Sequence, residues 1–463
     1  MSTRRQVMKF GGTSVANAEC IARAAKIIAD SARKGRCVAV VSAMSGVTNQ
    51  LIDAAKTALT GNANGATAVM DALRAQHETA LTTLVKSEEE RGRVRQKLEA
   101  VLAEGRRFCE GTALLRELSP RTLDAISSLG ERLSAPLIAA AVRELGLASE
   151  AVEATELIVT DEFHGGAEPQ MDHTREKSQA RILPLLARGI VPVVTGFLGA
   201  TPSGELTTLG RGGSDYSATI LGAALDADEV IIWTDVDGVL TADPRLVTEA
   251  QTIPEISYRE AAELAYFGAK VLHPATVLPA IQKNIPVYVL NSRNPSCEGT
   301  RITTRAPHSK NIFKAIAAKK KITIVDVAAP RMLLAHGFLK SIFEAFDRHK
   351  VAIDVVSTSE VSVSLTVDSN QAIPALAADL AKLADVKYEG RKAIVCLVGE
   401  NLRDTPGIAA LVFRELADKK IRMISQGASE INLTFVIEED EVPDVIQRLH
   451  KTFFAELDHE TFA

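Results

Sequence analysis

The densest concentration of chemistry in the chain is Thr207-Thr208-Leu209-Gly210-Arg211-Gly212-Gly213-Ser214-Asp215-Tyr216, where glycines bracket a guanidinium, a hydroxyl and a carboxylate ahead of an Ala-rich stretch. A forked guanidinium meets a carboxylate or phosphate bidentately, and glycine backbone lets N–H groups approach an anion closely. Lys9-Phe10-Gly11-Gly12-Thr13-Ser14 repeats the theme where a first strand should end and a helix begin. Adjacent glycines, a lysine and a helix N-terminus together favour a phosphate, although a Gly-Gly turn alone serves structure as readily as function. Neither GxxxxGK[ST] nor the kinase-type GxGxxG occurs, so such a phosphate site is of another kind.

Four further segments carry polar groups just after apolar runs. Ser42-Ala43-Met44-Ser45-Gly46-Val47-Thr48-Asn49 offers hydroxyls that either cap a helix or bind a polar ligand. Ser127-Ser128-Leu129-Gly130-Glu131-Arg132 supplies a carboxylate, and Trp233-Thr234-Asp235-Val236-Asp237-Gly238 ends an apolar run with turn-forming carboxylates, followed by Arg245. Phe267-Gly268-Ala269-Lys270-Val271-Leu272-His273-Pro274 presents a lysine before a Pro-interrupted helix, and His273 beside the proline reads as a packed turn residue.

The elements that must position these groups follow from hydrophobic periodicity. Between residue 7 and about 305, short β-branched runs alternate with helical stretches; Val38–Ser42, Ile190–Val194, Glu229–Trp233 and Pro286–Leu290 read as buried strands. This predicts an α/β fold with a doubly wound, mostly parallel sheet, whose ligands sit at the carboxyl ends of the strands. Residues from about 66 to 118 read as a helical insertion with a solvated charged face.

Beyond His308 the texture changes, and the chain matches itself when slid by about 70 positions. Gly337 falls on Gly407, Phe343 on Phe413, Lys350 on Lys420, and Ser359-Glu360 on Ser429-Glu430. Each copy reads strand, Gly-opened helix, strand, turn, strand, helix, a small α+β ferredoxin-like unit with edges free to pair with its twin.

Composition bounds the rest. A length of 463 residues suggests about three domains. A net charge of −5 with interspersed signs excludes a nucleic-acid scaffold. Cys20, Cys37, Cys109, Cys297 and Cys396 are scattered without metal-ligand spacing, so no metal site is expected and reduced thiols are. No signal-peptide h-region or membrane span is apparent, which leads to an expectation of cytoplasmic localisation with no membrane partner.

Taken together, Lys9, Thr48, Glu131, Arg211, Asp215, Asp235 and Lys270, in six ordered motifs, resemble the aspartokinase family of the amino acid kinase fold, and the tandem repeats look like ACT domains. The resemblance covers nearly the whole chain. It implies a catalytic domain over 1–306 and ACT-like regulatory domains over 315–390 and 391–463, which can interleave. The implied reaction is transfer of the ATP γ-phosphoryl group to the β-carboxylate of L-aspartate, the first step of lysine, threonine and methionine biosynthesis, with Mg²⁺ bridging phosphates. Lys9, Asp215 and Lys270 would be catalytic. Ser42, Thr48, Glu131, Arg211, Gly213 and Ser214 would bind aspartate, with Arg211 on the α-carboxylate and Glu131 on the α-ammonium. Lys9, Gly11, Gly12, Thr13, Thr234, Asp235, Arg245 and Lys270 would bind the nucleotide. Leu240 departs from some family members, which carry a tyrosine there; the resemblance leaves open whether an adenine-stacking contact is absent, is supplied elsewhere or is replaced by an aliphatic wall.

In the first repeat, Met332, Phe338, Leu339, Asp354, Ser359 and Glu360 match positions where lysine-inhibited aspartokinases resemble this chain, so feedback by lysine is expected, with threonine as the alternative because Leu334 to His336 differ from relatives. Paired modules imply at least a homodimer. A glutamate-type kinase of the same fold and a non-catalytic amino-acid sensor remain open. A fused dehydrogenase is not expected, since few residues follow Glu438.

Overall fold

The computed structural model describes residues 4–268, 274–307, 309, 311–328 and 337–456. The chain divides into two compact units. The first takes the residues up to Val239, Pro254–Tyr258 and the stretch ending at Ala306; the second takes Leu240–Ile253, the stretch from Arg259 and everything from Pro307.

In chain order the first unit runs β1 (Arg5–Phe10), α1 (Ala18–Lys34), β2 (Arg36–Val41), α2 (Val47–Leu59), α3 (Ala63–Leu84), α4 (Glu88–Leu115), α5 (Pro120–Ser127), α6 (Leu129–Glu144), β3 (Ser149–Val152), α7 (Met171–Ala187), β4 (Val191–Thr195), β5 (Leu198–Ala200), β6 (Leu206–Thr208), α8 (Gly213–Ala224), β7 (Glu229–Thr234), β8 (Glu255–Ser257), α9 (Tyr258–Tyr266, continuing into the second unit), α10 (Leu278–Gln282), β9 (Val287–Asn291) and β10 (Thr300–Thr303). Eight strands form a sheet in the order β3-β4-β2-β1-β7-β9-β10-β8, parallel except at β9–β10. The apolar run of β2 is buried from Cys37 to Val41, as a strand covered on both faces requires. Asn17 caps α1 by accepting from the Cys20 N–H, and Ser87 caps α4 in the same way ahead of Glu88, Glu89 and Glu90.

The insertion predicted over 66–118 is the long pair α3 and α4, and it does more than present a solvated face. Met70, Leu73, Leu81, Leu98 and Leu102 join the same core as α1 and α6. From α4, Glu104 reaches Arg132 on α6 at 2.9 Å, so the insertion braces the helix that carries Glu131.

The second unit adds β11 (Ala315–Ala328), α11 (Phe338–Arg348), β12 (Ile353–Thr358), β13 (Ser362–Asp368), α12 (Ile373–Leu380), β14 (Asp385–Val398), α13 (Ile408–Glu415), β15 (Met423–Gln426), β16 (Asn432–Glu438) and α14 (Val442–Phe453). Gly337 and Gly407 open the equivalent helices with φ of 83° and 81°, the left-handed region that glycine adopts without penalty. All six strands share one antiparallel sheet, β12-β13-β11-β14-β16-β15. The two long strands serve both copies. Ile324–Ala328 pairs with Asp385–Glu389 inside the first copy, while Ala315–Lys319, which precedes that copy, pairs with Ile394–Val398 and supplies the second copy's fourth strand. The first copy is thus inserted into the second. Among the described residues no helix is long and apolar enough to cross a membrane.

Candidate active site

The strand order of the first unit reverses around β1, with β2 and β4 to one side and β7 to the other. Open α/β sheets bind ligands in the crevice beyond the carboxyl ends at such a point. A cleft of about 360 Å³ lies there, lined by Lys9, Gly12 and Thr13 after β1, Ser42 to Gly46 and Thr48 after β2, Phe197 after β4, Glu131 on α6, and Gly210 and Gly212 to Asp215 at the start of α8.

Its charge is arranged as a buried pair and a buried carboxyl. Lys9 Nζ lies 2.5 Å from Asp215 Oδ1, with both side chains largely withdrawn from solvent. Gly11 abuts the same ammonium, since a Cβ there would lie 3.2 Å from Lys9 Nζ. Glu131 is 3% exposed. Burial pushes its carboxyl up to about 8, against which a hydrogen bond from the Ala43 backbone works only in part. Oε2 of Glu131 has no hydrogen-bond partner. Glu131 thus adds to the cleft wall a buried acid with one oxygen unpartnered, an arrangement that suits a cationic group on a ligand.

Backbone shape makes the approach possible. A Cβ on Gly130 would sit 2.6 Å from Ala43 Cβ, and one on Gly213 2.5 Å from the Phe197 ring. Gly130→Ala must therefore push the Ser42–Gly46 turn away from α6, and a loss of about 1–3 kcal/mol is expected, read as a lower Tm.

The nucleotide candidates divide. Gly11 N–H donates to Trp233 O at 3.3 Å, which ties the β1 turn to the end of β7. The Ser14 and Ser292 hydroxyls, 2.8 Å apart, sit against the Trp233 and Thr234 carbonyls and close the same junction from β9. Thr234 and exposed Asp235 follow directly, with Thr234 Oγ1 donating to Asp235 Oδ1 at 3.3 Å. Arg245, placed along the nucleotide by resemblance, falls in the second unit and chelates Asp243 two residues back, at 2.9 Å and 2.6 Å. Lys270 lies outside the described residues. Arg211 is exposed at the tip of its turn; its neighbours Gly210 and Gly212, and not Arg211 itself, line the cleft.

The sequence motifs missed Phe197, which walls the cleft. It holds φ of 70°, uncommon for a non-glycine residue, and its N–H is fixed by Ser217 Oγ at 2.8 Å. A buried strand ending in Gly196-Phe197 was the available signal.

Within the second unit, Asp354 on β12 is already engaged: Lys319 Nζ lies 2.7 Å from Oδ1, and Tyr266 donates to the same atom at 2.9 Å. Phe338 and Leu339 open α11. Ser359 and Glu360 form the β12–β13 turn, where Ser359 N–H donates to Ser362 O. Met332 lies outside the described residues. In the second copy the equivalent turn meets α9: Ser429 donates to Glu263 at 3.0 Å, and Arg259 reaches Glu430 at 3.3 Å.

The amino acid kinase family model matches residues 4–291, and an ACT domain model matches residues 395–453. Aspartokinase 3, chloroplastic, of Arabidopsis thaliana is 37% identical over 97% of this chain and 81% of its own length. Lysine-sensitive aspartokinase 3 of Escherichia coli (strain K12) is 36% identical, covering 97% of this chain and 99% of that protein. A crystal structure of E. coli aspartokinase III in complex with aspartate and ADP matches with a TM-score of 0.84 at 36% identity, over 97% of this chain and all (100%) of that one. The amino acid kinase match over residues 4–291 and identities of 37% and 36% sustained over 97% of the chain lead to one conclusion: this chain belongs to the aspartokinases of the amino acid kinase family.

Proposed function

We propose that this protein phosphorylates the β-carboxylate of L-aspartate with the γ-phosphoryl group of ATP and is inhibited by lysine. The observation that carries the reading is one cleft holding both a lysine–aspartate pair beside a glycine turn and a buried glutamate with one oxygen unpartnered. The pair suits a triphosphate, and the glutamate suits an α-ammonium.

The substrate carboxylate is ionised at neutral pH, so an oxygen lone pair attacks phosphorus directly and no general base is required. The bond from the γ-phosphorus to its bridging oxygen breaks, ADP leaves with the electron pair, and an acyl phosphate forms. The obstacle is repulsion between two anions, and protein charge and alignment remove it. Lys9 supplies positive charge, Asp215 holds it in place, and Lys270 joins them by resemblance. Glu131 and Arg211 hold the amino acid, with Ser42, Thr48, Gly213 and Ser214 around it. Gly11, Gly12, Thr13, Thr234 and Asp235 face the nucleotide.

The donor set fits a Mg²⁺ carried in on phosphates. Among the described residues no three His, Cys, Asp or Glu side chains form a metal-binding group, whereas Asp215 places a carboxylate in the cleft. Mg²⁺ usually keeps waters and binds through one or two carboxylates plus substrate phosphates. When bound, it would screen the triphosphate.

The kinase domain falls within 1–306, from which Leu240–Ile253 and the stretch from Arg259 join the second unit, and the expected modules over 315–390 and 391–463 interleave because Ala315–Lys319 completes the second copy. The module edges suit a homodimer in the cytoplasm. A lysine effector using Asp354 would exchange with the internal ammonium of Lys319, and Phe338, Leu339, Ser359 and Glu360 lie in the same module.

The test is ATP- and Mg²⁺-dependent acyl phosphate formation, trapped as the hydroxamate. Product with aspartate that lysine suppresses is the expected result. Suppression by threonine alone moves the effector assignment. Product with glutamate alone identifies a glutamate-type kinase, and nucleotide binding without product identifies a sensor.

A further inference from the structure

Asp124, on α5 seven positions before Glu131, appears in none of the sequence motifs, yet it is among the best-connected buried carboxylates of the first unit. It is 2% exposed. Its Oδ1 accepts from Thr208 Oγ1 at 2.6 Å, and its Oδ2 accepts from the Thr208 N–H at 3.2 Å, the Gly165 N–H at 3.1 Å and His164 Nδ1 at 2.9 Å. These donors belong to two segments that approach each other. Ala167 N–H donates to Thr208 O at 2.9 Å, and Gly210 packs on the Gly165 carbonyl so tightly that a Cβ there would lie 3.1 Å away. Thr208 is two residues before Gly210 and three before Arg211.

On its other side Asp124 is built into the entry to α6. Its carbonyl accepts from the Ser128 N–H at 3.0 Å and from Ser127 Oγ at 3.2 Å, directly ahead of Gly130-Glu131. One residue therefore joins the helix that carries Glu131 to the turn that carries Arg211, Gly213 and Ser214. A carboxylate that accepts several N–H and O–H bonds away from water fixes geometry more strongly than neutral contacts do.

We infer that Asp124 is a positioning residue for amino-acid recognition, setting the spacing between the carboxylate that receives the substrate ammonium and the turn that receives its α-carboxylate. This rests on the assignment of Glu131 and Arg211 to the amino acid. The nucleotide half, built from the ends of β1 and β7, makes no hydrogen bond to Asp124 among the described residues. The effect is therefore confined to one substrate.

The experiment measures kcat, KM for aspartate, KM for ATP and Tm in the full chain for Asp124→Asn, Thr208→Val, Thr208→Ser and Arg211→Ala. Asparagine keeps the volume but turns one acceptor oxygen into a donor that cannot receive these bonds. The expected result is an increase of about 10- to 100-fold in KM for aspartate for Asp124→Asn, the scale of an ångström-level misplacement, with KM for ATP within about twofold. Thr208→Val should move KM for aspartate in the same direction, and Thr208→Ser, which keeps the hydroxyl, should restore it. If Asp124→Asn does not fold, the Val and Ser pair at Thr208 decides by the same criterion. Equal increases in both KM values, or a lower Tm with both KM values unmoved, overturn the inference. Should Arg211→Ala leave KM for aspartate unchanged, the site assignment fails first and this inference with it; a large Arg211 effect beside a silent Asp124→Asn sinks this inference alone.

Discussion

A Lys9→Met variant is expected to lose about 10³-fold in kcat while still binding ADP, because Lys9 acts where charge moves in the reaction. Its ammonium is 2.5 Å from Asp215 and nearly enclosed, so its charge is poorly screened by water. Methionine keeps the length of the side chain and removes the charge. Two effects then combine. Charge on the transferring phosphoryl group loses a fixed counter-ion, and Asp215 is left as an uncompensated carboxylate that repels the nucleotide. The double variant Lys9→Met with Asp215→Asn separates them: nucleotide affinity should recover while kcat stays low. Hydroxamate-trapped rates and ADP titration read the two quantities independently. A fall in kcat of less than tenfold for Lys9→Met would remove the lysine from the chemistry.

The motifs that were legible are those that end parallel strands. In a parallel sheet, residues scattered along the chain meet at the carboxyl edge, so a glycine or hydroxyl just after an apolar run already has an address. Lys9, Ser42 and Thr48 follow that logic; Ser214 and Asp215, which come after the antiparallel β5–β6 pair, stand out instead by the glycines, guanidinium, hydroxyl and carboxylate packed into one turn, and all five line one cleft. Glu131 was harder, since it sits on a helix, and its family motif identified it.

Asp124 had no such mark. On sequence it is one polar residue on a short helix, and its burial depends on Thr208 and Gly165, whose positions are set by pairing around β5 and β6. The interleaving of the two small modules was hidden for a related reason. Sliding the chain over itself lays the whole of β11 on β14, Ala315 on Asp385 and Ala328 on Val398, but it does not say that Ala315–Lys319, ahead of the first copy, pairs into the second. Its role comes from pairing with a strand more than 70 residues away, which local periodicity does not encode. The engagement of Asp354 by Lys319 follows from that long strand, since Lys319 ends the segment lent to the second copy.

Glu131 should make aspartate recognition depend on pH in a direction the structure fixes. Burial raises its carboxyl to about 8, so in the empty site near neutrality the group is mostly protonated. An α-ammonium beside the partnerless Oε2 supplies the missing countercharge and drives ionisation, so binding releases a proton below that pH. KM for aspartate is therefore expected to fall as pH rises from about 6 to 8 and then level off, by up to tenfold per unit in the steepest part. Glu131→Gln should raise KM for aspartate about 10²-fold at pH 8, the scale for losing a charged hydrogen bond in a buried site, and flatten the pH dependence. Stability gives an independent readout with its own sign. The folded carboxyl lies above its unfolded value of 4.5, so its contribution is fully present below that pH and is lost as pH rises through about 8. Without ligand, the Tm of Glu131→Gln should therefore gain on the wild type between pH 5 and 9. Saturating aspartate should reverse that order, because only the wild type gains from the ligand's charge. A pH-independent KM in the wild type, together with parallel Tm curves for the two proteins, would mean that the carboxylate is solvated in solution and that another group receives the substrate ammonium.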